Sequence, residues 1–286
     1  MKKRKLGIVV DSTIGKTFDQ NLFPDMSIVP LTIILNDKVY DDGNINNQEL
    51  LTCLKKGHKI TTSHPNPYLF IEAFKKQFEL GYEHVVCLTL TQKFSATFNS
   101  AQKAQQMLNN ANITVIDTEN IGPGMFFTLS RIHYYIYHSD LNYPEIFAKV
   151  KQEQKNGSIF FSLNDLNFLA SAKRISRFKY FLGSVLLKIK TILKLNQGTI
   201  FVKKNVRSWK NCFQFLLHVI TQLKQTKNQI EVKIVYVNDD TMAKELQREI
   251  NALNDSDIKV SIFGEISSIF VIHIGSEGFG FYLNKI

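Results

Sequence analysis

The chain has 286 residues, of which 44% are hydrophobic and 21% charged, which excludes wholesale disorder and fits about two globular domains. Lys and Arg number 35 against 25 Asp and Glu, a formal net charge of +10. The lysines are scattered, few of the basic residues are arginine, and Lys, Asn, Ile and Phe abound as AT-rich codons would supply, so the charge is a weak argument for nucleic acid.

Cys53, Cys87 and Cys212 are odd in number and widely spaced, which argues against a disulfide scaffold or a cysteine-based metal site and fits a reducing cytoplasm. The basic start Met1-Lys-Lys-Arg-Lys5 is followed by an apolar stretch that stops at Asp11, short of a signal-peptide core of about 7–15 residues. The longest apolar region, Leu182 to Leu195, is broken by Lys188, Lys190 and Lys194, so no membrane span is expected and a soluble, cytoplasmic protein is.

In chain order, Leu6 to Val10 reads as a buried strand opening into Asp11-Ser12-Thr13, and Ile28 to Leu35 as a second strand entered near Pro30. Asn36-Asp37 turns the chain toward Val39-Tyr40. A helix over Asn47–Lys56 ends at Gly57, and the hydroxyl-rich loop Thr61-Thr62-Ser63 precedes a helix begun by Asn66-Pro67 and stopped at Gly81. Val85 to Leu90 is a buried strand, Thr91 to Ser95 a polar loop, and Ala96 to Leu108 a helix. Ile113 to Ile116 is a strand, Pro123 to His138 and Tyr143 to Gln154 are helices, and Ser158 to Ser162 is again a strand. This alternation of apolar strands with helices predicts a mostly parallel sheet flanked by helices over residues 1–160.

Beyond that point, helices are expected at Leu166–Lys173, Phe181–Leu187, Lys210–Gln225 and Asp240–Leu253. Strands are expected at Thr199–Lys203, Glu231–Val237, Lys259–Phe263, Ile269–His273 and Gly280–Leu283. Residues 161–286 therefore read as a second α/β domain, with no flexible linker between the two.

Three hydroxyl-rich segments, Asp11-Ser12-Thr13, Thr61-Thr62-Ser63 and Thr91 to Ser95, border strands of the first domain. In an open parallel sheet ligands bind at the carboxyl ends of strands, where a following helix offers free N–H groups to an anion. Ser95 sits where both effects meet; a plain helix cap explains it equally well, as a capping or turn hydroxyl explains Thr62. Asp11 reads as ordering its own loop. Among seven histidines only His273 has a suggestive setting, at the end of an apolar strand before the glycine-rich Gly275-Ser-Glu-Gly-Phe-Gly280. The chain has no HExxH, no GxSxG, no Walker-A lysine and no evident carboxylate pair, so the motifs favour binding over catalysis. An enzyme acting on a phosphorylated or acyl substrate through Ser95 or His273 is the alternative.

Taken together, these segments resemble the DegV family of bacterial fatty-acid-binding proteins over nearly the whole chain. Ile8-Val-Val-Asp-Ser-Thr13 and Val29-Pro-Leu31 resemble its first two strands, and Ile116-Asp-Thr118 a later strand end. Thr61-Thr-Ser-His-Pro65 is similar to a threonine-serine-glutamine-proline motif with His64 replacing glutamine, and Phe94-Ser-Ala-Thr97 to a leucine-serine-glycine-threonine motif with Ala96 replacing glycine. Arg174-Ile-Ser176 stands where the family has glycine-glycine-arginine-isoleucine-serine, with Ala172 and Lys173 for the glycines; Thr191 replaces a usual proline. Val271-Ile-His-Ile-Gly275 resembles the closing histidine-containing segment. The resemblance implies a non-catalytic, two-domain protein that buries one long-chain fatty acid, such as palmitate or oleate, with no cofactor. Its carboxylate would be held by Thr62, Ser95 and the Ala96 N–H, with Arg207 and His273 near the head group, and the second domain would close over the tail. In some members a separate fatty acid kinase is the partner that receives the acid.

Overall fold

The computed structural model describes residues 4–163, 189–224, 229–275 and 278–285. The helices expected over Leu166–Lys173 and Phe181–Leu187, and the segment Ala172 to Ser176, lie outside the described residues.

The first layer is a four-stranded parallel sheet of order β2-β1-β6-β7, built from β1 (Leu6–Asp11), β2 (Ser27–Val29), β6 (His84–Thr89) and β7 (Ile113–Asp117). Every residue of β1 is buried, because helices cover both faces of the sheet. Helices α2 (Pro67–Glu79) and α3 (Thr97–Leu108) pack Phe70, Phe74, Ala101 and Ala104 against Val9 and Cys87 on one face. On the other face α4 (Pro123–His138) inserts Met125, Leu129 and Ile132 against Ile8, Val10 and Leu88, and α5 (Tyr143–Gln154), opened by the Asn142–Glu145 capping box, packs behind it.

The expected strand Ile28–Leu35 is divided. Pro30 has no N–H for a ladder, so β2 ends at Val29, and β3 (Thr32–Leu35) joins a small antiparallel sheet of order β4-β3-β5. Its partners are β4 (Lys38–Asp41) and β5 (Ile60–Ser63), which flank α1 (Asn47–Lys55) in the chain. Thr61-Thr62-Ser63, read from sequence as a loop, is thus strand: Thr62 pairs with Ile33. Its β-branched threonines suit a half-buried edge strand, and hydroxyl content alone concealed this.

The second sheet has order β10-β9-β8-β13-β11-β12. Its strands are β8 (Ser158–Leu163), β9 (Lys190–Asn196), β10 (Thr199–Val206), β11 (Ile230–Tyr236), β12 (Ile258–Glu265) and β13 (Gly278–Lys285), antiparallel except for the β11–β12 pair. Helices α6 (Trp209–Lys224) and α7 (Thr241–Asn251) cover one face with Phe213, Leu216, Leu246 and Ile250. The strand read at Ser158–Ser162 belongs here and not to the parallel sheet: two helices, α4 and α5, intervene after β7 and carry the chain across. Strand β9 escaped the sequence reading because Lys190 and Lys194 break its apolar run; the flanking Gln197-Gly198, both at positive φ, form the tight turn to β10.

The last correction concerns Ile269–His273. Its β-branched, apolar run reads as a strand, but it lies in helix α8 (Ser268–Ile274). Ser267 caps the helix by accepting the Ile269 N–H, Gly275 ends it at φ +79°, and Ser268 to Ile272 are all buried. A helix buried all round has no polar face, so its periodicity cannot be told from a buried strand's.

Candidate functional site

Asp11 ends β1 fully buried. Its carboxylate accepts the Thr13 N–H (2.9 Å), the Thr13 hydroxyl and the Leu90 N–H (2.6 Å), tying the carboxyl ends of β1 and β6 together. Burial lifts its pKa to about 6, against the opposing pull of those hydrogen bonds. Asp11 thus orders its loop, as read from sequence, and spans to β6 as well.

Ser95 follows the β6 strand end. The segment from Thr91 to Phe94 is anchored by Thr91 N–H to Asn120 O (3.0 Å), Gln92 N–H to Asp117 Oδ2 (3.3 Å) and Phe94 N–H to Thr91 O (3.0 Å). From the other side Lys93 Nζ donates to Gln197 O (2.9 Å) and Thr199 Oγ1 (2.8 Å), clasping the segment to the β9–β10 turn. The residue at the cap position of α3 is Ala96, exposed and without a side-chain cap bond. Ser95, one residue earlier and half-buried, accepts the Thr97 N–H at 3.3 Å and lies 2.8 Å from Thr97 Oγ1. Its hydroxyl therefore stands at the open, positive end of a 12-residue helix.

Thr62 and His273 meet. Thr62 Oγ1 on β5 lies 3.4 Å from His273 Nε2 on the last turn of α8, so two residues 211 apart in sequence share one hydrogen-bonding geometry. The turn after Thr62 is fixed to α3 by the Ser100 hydroxyl, which donates to Pro65 O. Helix α8 is held in turn by the buried Asn47, whose Nδ2 donates to Val237 O (2.9 Å) and Ile266 O (3.1 Å), and by Ser267, whose hydroxyl donates to Asp42 Oδ2 (2.6 Å). Arg207 is exposed in the turn between β10 and α6.

Behind these groups lies an apolar cavity between the second sheet and the segments that follow β1, β6 and β7, with about 930 Å³ of space between atoms, part of it open to solvent. Phe94, next to Ser95, and His273, bonded to Thr62, both line it; Arg207 does not. Its floor crosses the second sheet strand by strand, through Ile200 on β10, Leu195 on β9, Phe161 on β8, Gly280 on β13, Val235 on β11 and Phe263 on β12. Phe161, Gly280 and Val235 are direct neighbours in register. Gly280 matters because a Cβ there would lie 2.3 Å from Phe160 O; the absent side chain also leaves the floor clear at its middle. Thr13, Ile121, Pro123 and Phe270 form the roof.

The floor is the part of the site that sequence reading missed. Its residues come from six strands spread over 159–280, and no local motif joins them. One signal was present: Gly278 and Gly280 alternate on the same side of β13, a segment read from sequence as the end of a glycine-rich turn.

Among the described residues no group of three or more His, Cys, Asp or Glu side chains is placed to hold a metal ion, and no helix is long and apolar enough to cross a membrane. Chemically, the arrangement sets the Thr62–His273 pair and, through Phe94, the Ser95 segment at the start of α3 beside a hydrocarbon-lined space.

Comparison with known proteins gives the same answer over the same span. A DegV domain-containing protein of Listeria monocytogenes is 29% identical over 285 residues, covering 97% of this chain and 98% of its own. A fatty-acid-binding DegV family protein from Thermus thermophilus has a structure that superposes with a TM-score of 0.87 at 25% identity, covering 98% of this chain and 99% of that one. A stearic acid-binding protein from Eubacterium ventriosum shares the fold with a TM-score of 0.84 at 22% identity, covering 99% and 98%. The family model for uncharacterised proteins of the DegV family matches residues 5–285, and the chain belongs to the DegV family.

Proposed function

We propose that this protein binds one long-chain fatty acid without catalysing a reaction on it, holding the tail in the cavity and the carboxylate at Ser95, Thr62 and the Ala96 N–H. The observation that carries this reading is the cavity: a hydrocarbon-lined space whose wall includes the immediate neighbour of Ser95 and the hydrogen-bond partner of Thr62. The Thermus thermophilus relative's fatty acid binding points the same way.

The energetics suit a carrier. Burying a methylene contributes ~0.8 kcal/mol, so a sixteen-carbon tail contributes roughly 12 kcal/mol before the cost of association. Affinity comes from the tail. The head group has only to be satisfied, because a carboxylate buried without partners is costly. Two hydroxyls, an imidazole and the open end of α3 can satisfy it and still release it. Ala96 in place of glycine keeps the N–H donor. Arg207 is exposed and outside the cavity lining, so the head-group contact rests on the other four residues.

On this reading the protein works in the cytoplasm, carries the acid for lipid metabolism and presents it to a separate fatty acid kinase. Native mass spectrometry of protein purified from bacteria tests the binding step: a co-purified acid of about palmitate mass is expected at one per chain. A ligand-free protein that also ignores added palmitate and oleate would overturn the proposal.

A further inference from the structure

Resting on the fatty-acid reading, we infer that Phe263 is the stop at the far end of the cavity and sets the longest tail the protein accepts. The floor crosses all six strands of the second sheet, and its two ends differ in kind. At one end Ile200 on β10 shares an apolar cluster with Phe94, which precedes Ser95. Ile274, which follows His273, clusters with Ile200 too. Lys93, two residues before Ser95, donates to Gln197 O and Thr199 Oγ1 at the β9–β10 turn, which puts the Ser95 end of the site at that edge. The sheet order then places β12, and Phe263 on it, at the opposite edge.

The distance between the ends follows from the sheet itself. Neighbouring strands lie about 4.8 Å apart, so the five intervals from β10 to β12 span roughly 24 Å between strand centres, and the side chains of Ile200 and Phe263 at the two ends leave a run of about 15–20 Å. A bilayer's hydrocarbon core of about 30 Å is spanned by two opposed tails, so one ordinary lipid tail reaches about 15 Å. The corridor is therefore matched to one such tail, and whatever closes its end decides how many further methylenes fit.

Phe263 closes it firmly. Its ring lies 5.3 Å from that of Phe126, which in turn lies 6.1 Å from that of Phe18, and all three are buried. On the near side Gly15, at φ +122°, admits the ring: a Cβ there would lie 3.2 Å from Phe263 Cε1. The backbone is pinned as well, because the Thr17 hydroxyl donates to Phe263 O at 3.1 Å. Val235 on β11 is the last floor residue before this wall.

Two substitutions test the assignment in opposite directions. Each buried methylene is worth roughly a factor of four in affinity (about 0.8 kcal/mol, at 1.4 kcal/mol per tenfold). Phe263→Ala should raise affinity for a twenty- or twenty-two-carbon acid about tenfold relative to palmitate. Val235→Phe, which adds bulk to empty space one strand short of the wall, should lower affinity for stearate about tenfold relative to laurate. The measurement is competition between saturated acids of graded length for each purified variant, with its melting temperature recorded. Variants that bind palmitate but keep the wild-type length profile would overturn the assignment, and Val235→Phe decides it should Phe263→Ala fail to fold. A wild-type protein that binds no acid of any length would instead overturn the reading on which the assignment rests.

Discussion

In the proposed function, Ser95, Thr62 and His273 divide the work of holding a carboxylate among a loop, an edge strand and a helix end. A hydrogen bond to a charged group is worth about 1.5–3 kcal/mol, so Ser95→Ala and Thr62→Val should each weaken palmitate binding about 10- to 100-fold. Displacement titration of a bound fluorescent acid measures this, and unchanged affinity in both variants would remove the two hydroxyls from the site. Asp11 makes a different prediction. Its folded pKa of about 6 lies above the ordinary carboxylate value, so the folded state binds the proton more tightly than the unfolded chain does. From this group alone, stability is greatest below about pH 4, falls as pH rises through about 6, and is level above that. Relative to Asp11→Asn, the wild type should therefore gain about 2 kcal/mol on going from pH 7 to pH 4.5, read from urea unfolding. A gap between the two proteins that stays constant with pH would contradict the burial argument.

Among the elements, α8 carries the most consequence for its seven residues. It delivers His273 to Thr62, and Asn47 at the start of α1 fixes its approach by donating to the carbonyls of Val237, just after β11, and Ile266, just after β12. Asn47→Ala leaves those buried carbonyls and Ser268 short of partners and should cost about 2–4 kcal/mol of stability, measured by thermal or urea unfolding. An effect below about half a kcal/mol would show that α8 is held by its apolar packing alone. Helices α2 and α5 were legible from sequence because each has a capping asparagine and a proline in its first turn, and α4 because Pro123 opens a long apolar run. Helix α8 and strand β5 were not. One is buried on every side, so no stripe marks it; the other is a short threonine-rich edge whose pairing with β3 is set by tertiary contact. Strand β9 was hidden by lysines whose chains reach out over aromatic rings, Lys190 over Trp209 and Lys194 over Phe160.

At the scale of the whole molecule, the second sheet faces the segments that follow β1, β6 and β7 across a hydrocarbon-lined space, and both halves of the chain contribute to its lining. Thr62, Ser95 and His273 could be named from sequence through the family resemblance, but the lining of the cavity could not, since its floor draws residues from six strands. A ligand that fills such a space binds only the folded state. Palmitate at 100 times its dissociation constant should therefore stabilise the protein by about 2.7 kcal/mol, visible as a rise in melting temperature. No shift at saturating acid would argue that the space is not its site. The most direct measurement of the central claim is the carbon-13 spectrum of carboxyl-labelled palmitate added to the wild type, to Ser95→Ala and to Thr62→Val. The account predicts one bound carboxyl resonance, distinct from free acid and displaced in each variant. A resonance that neither substitution moves, or none beyond that of free palmitate, would contradict it.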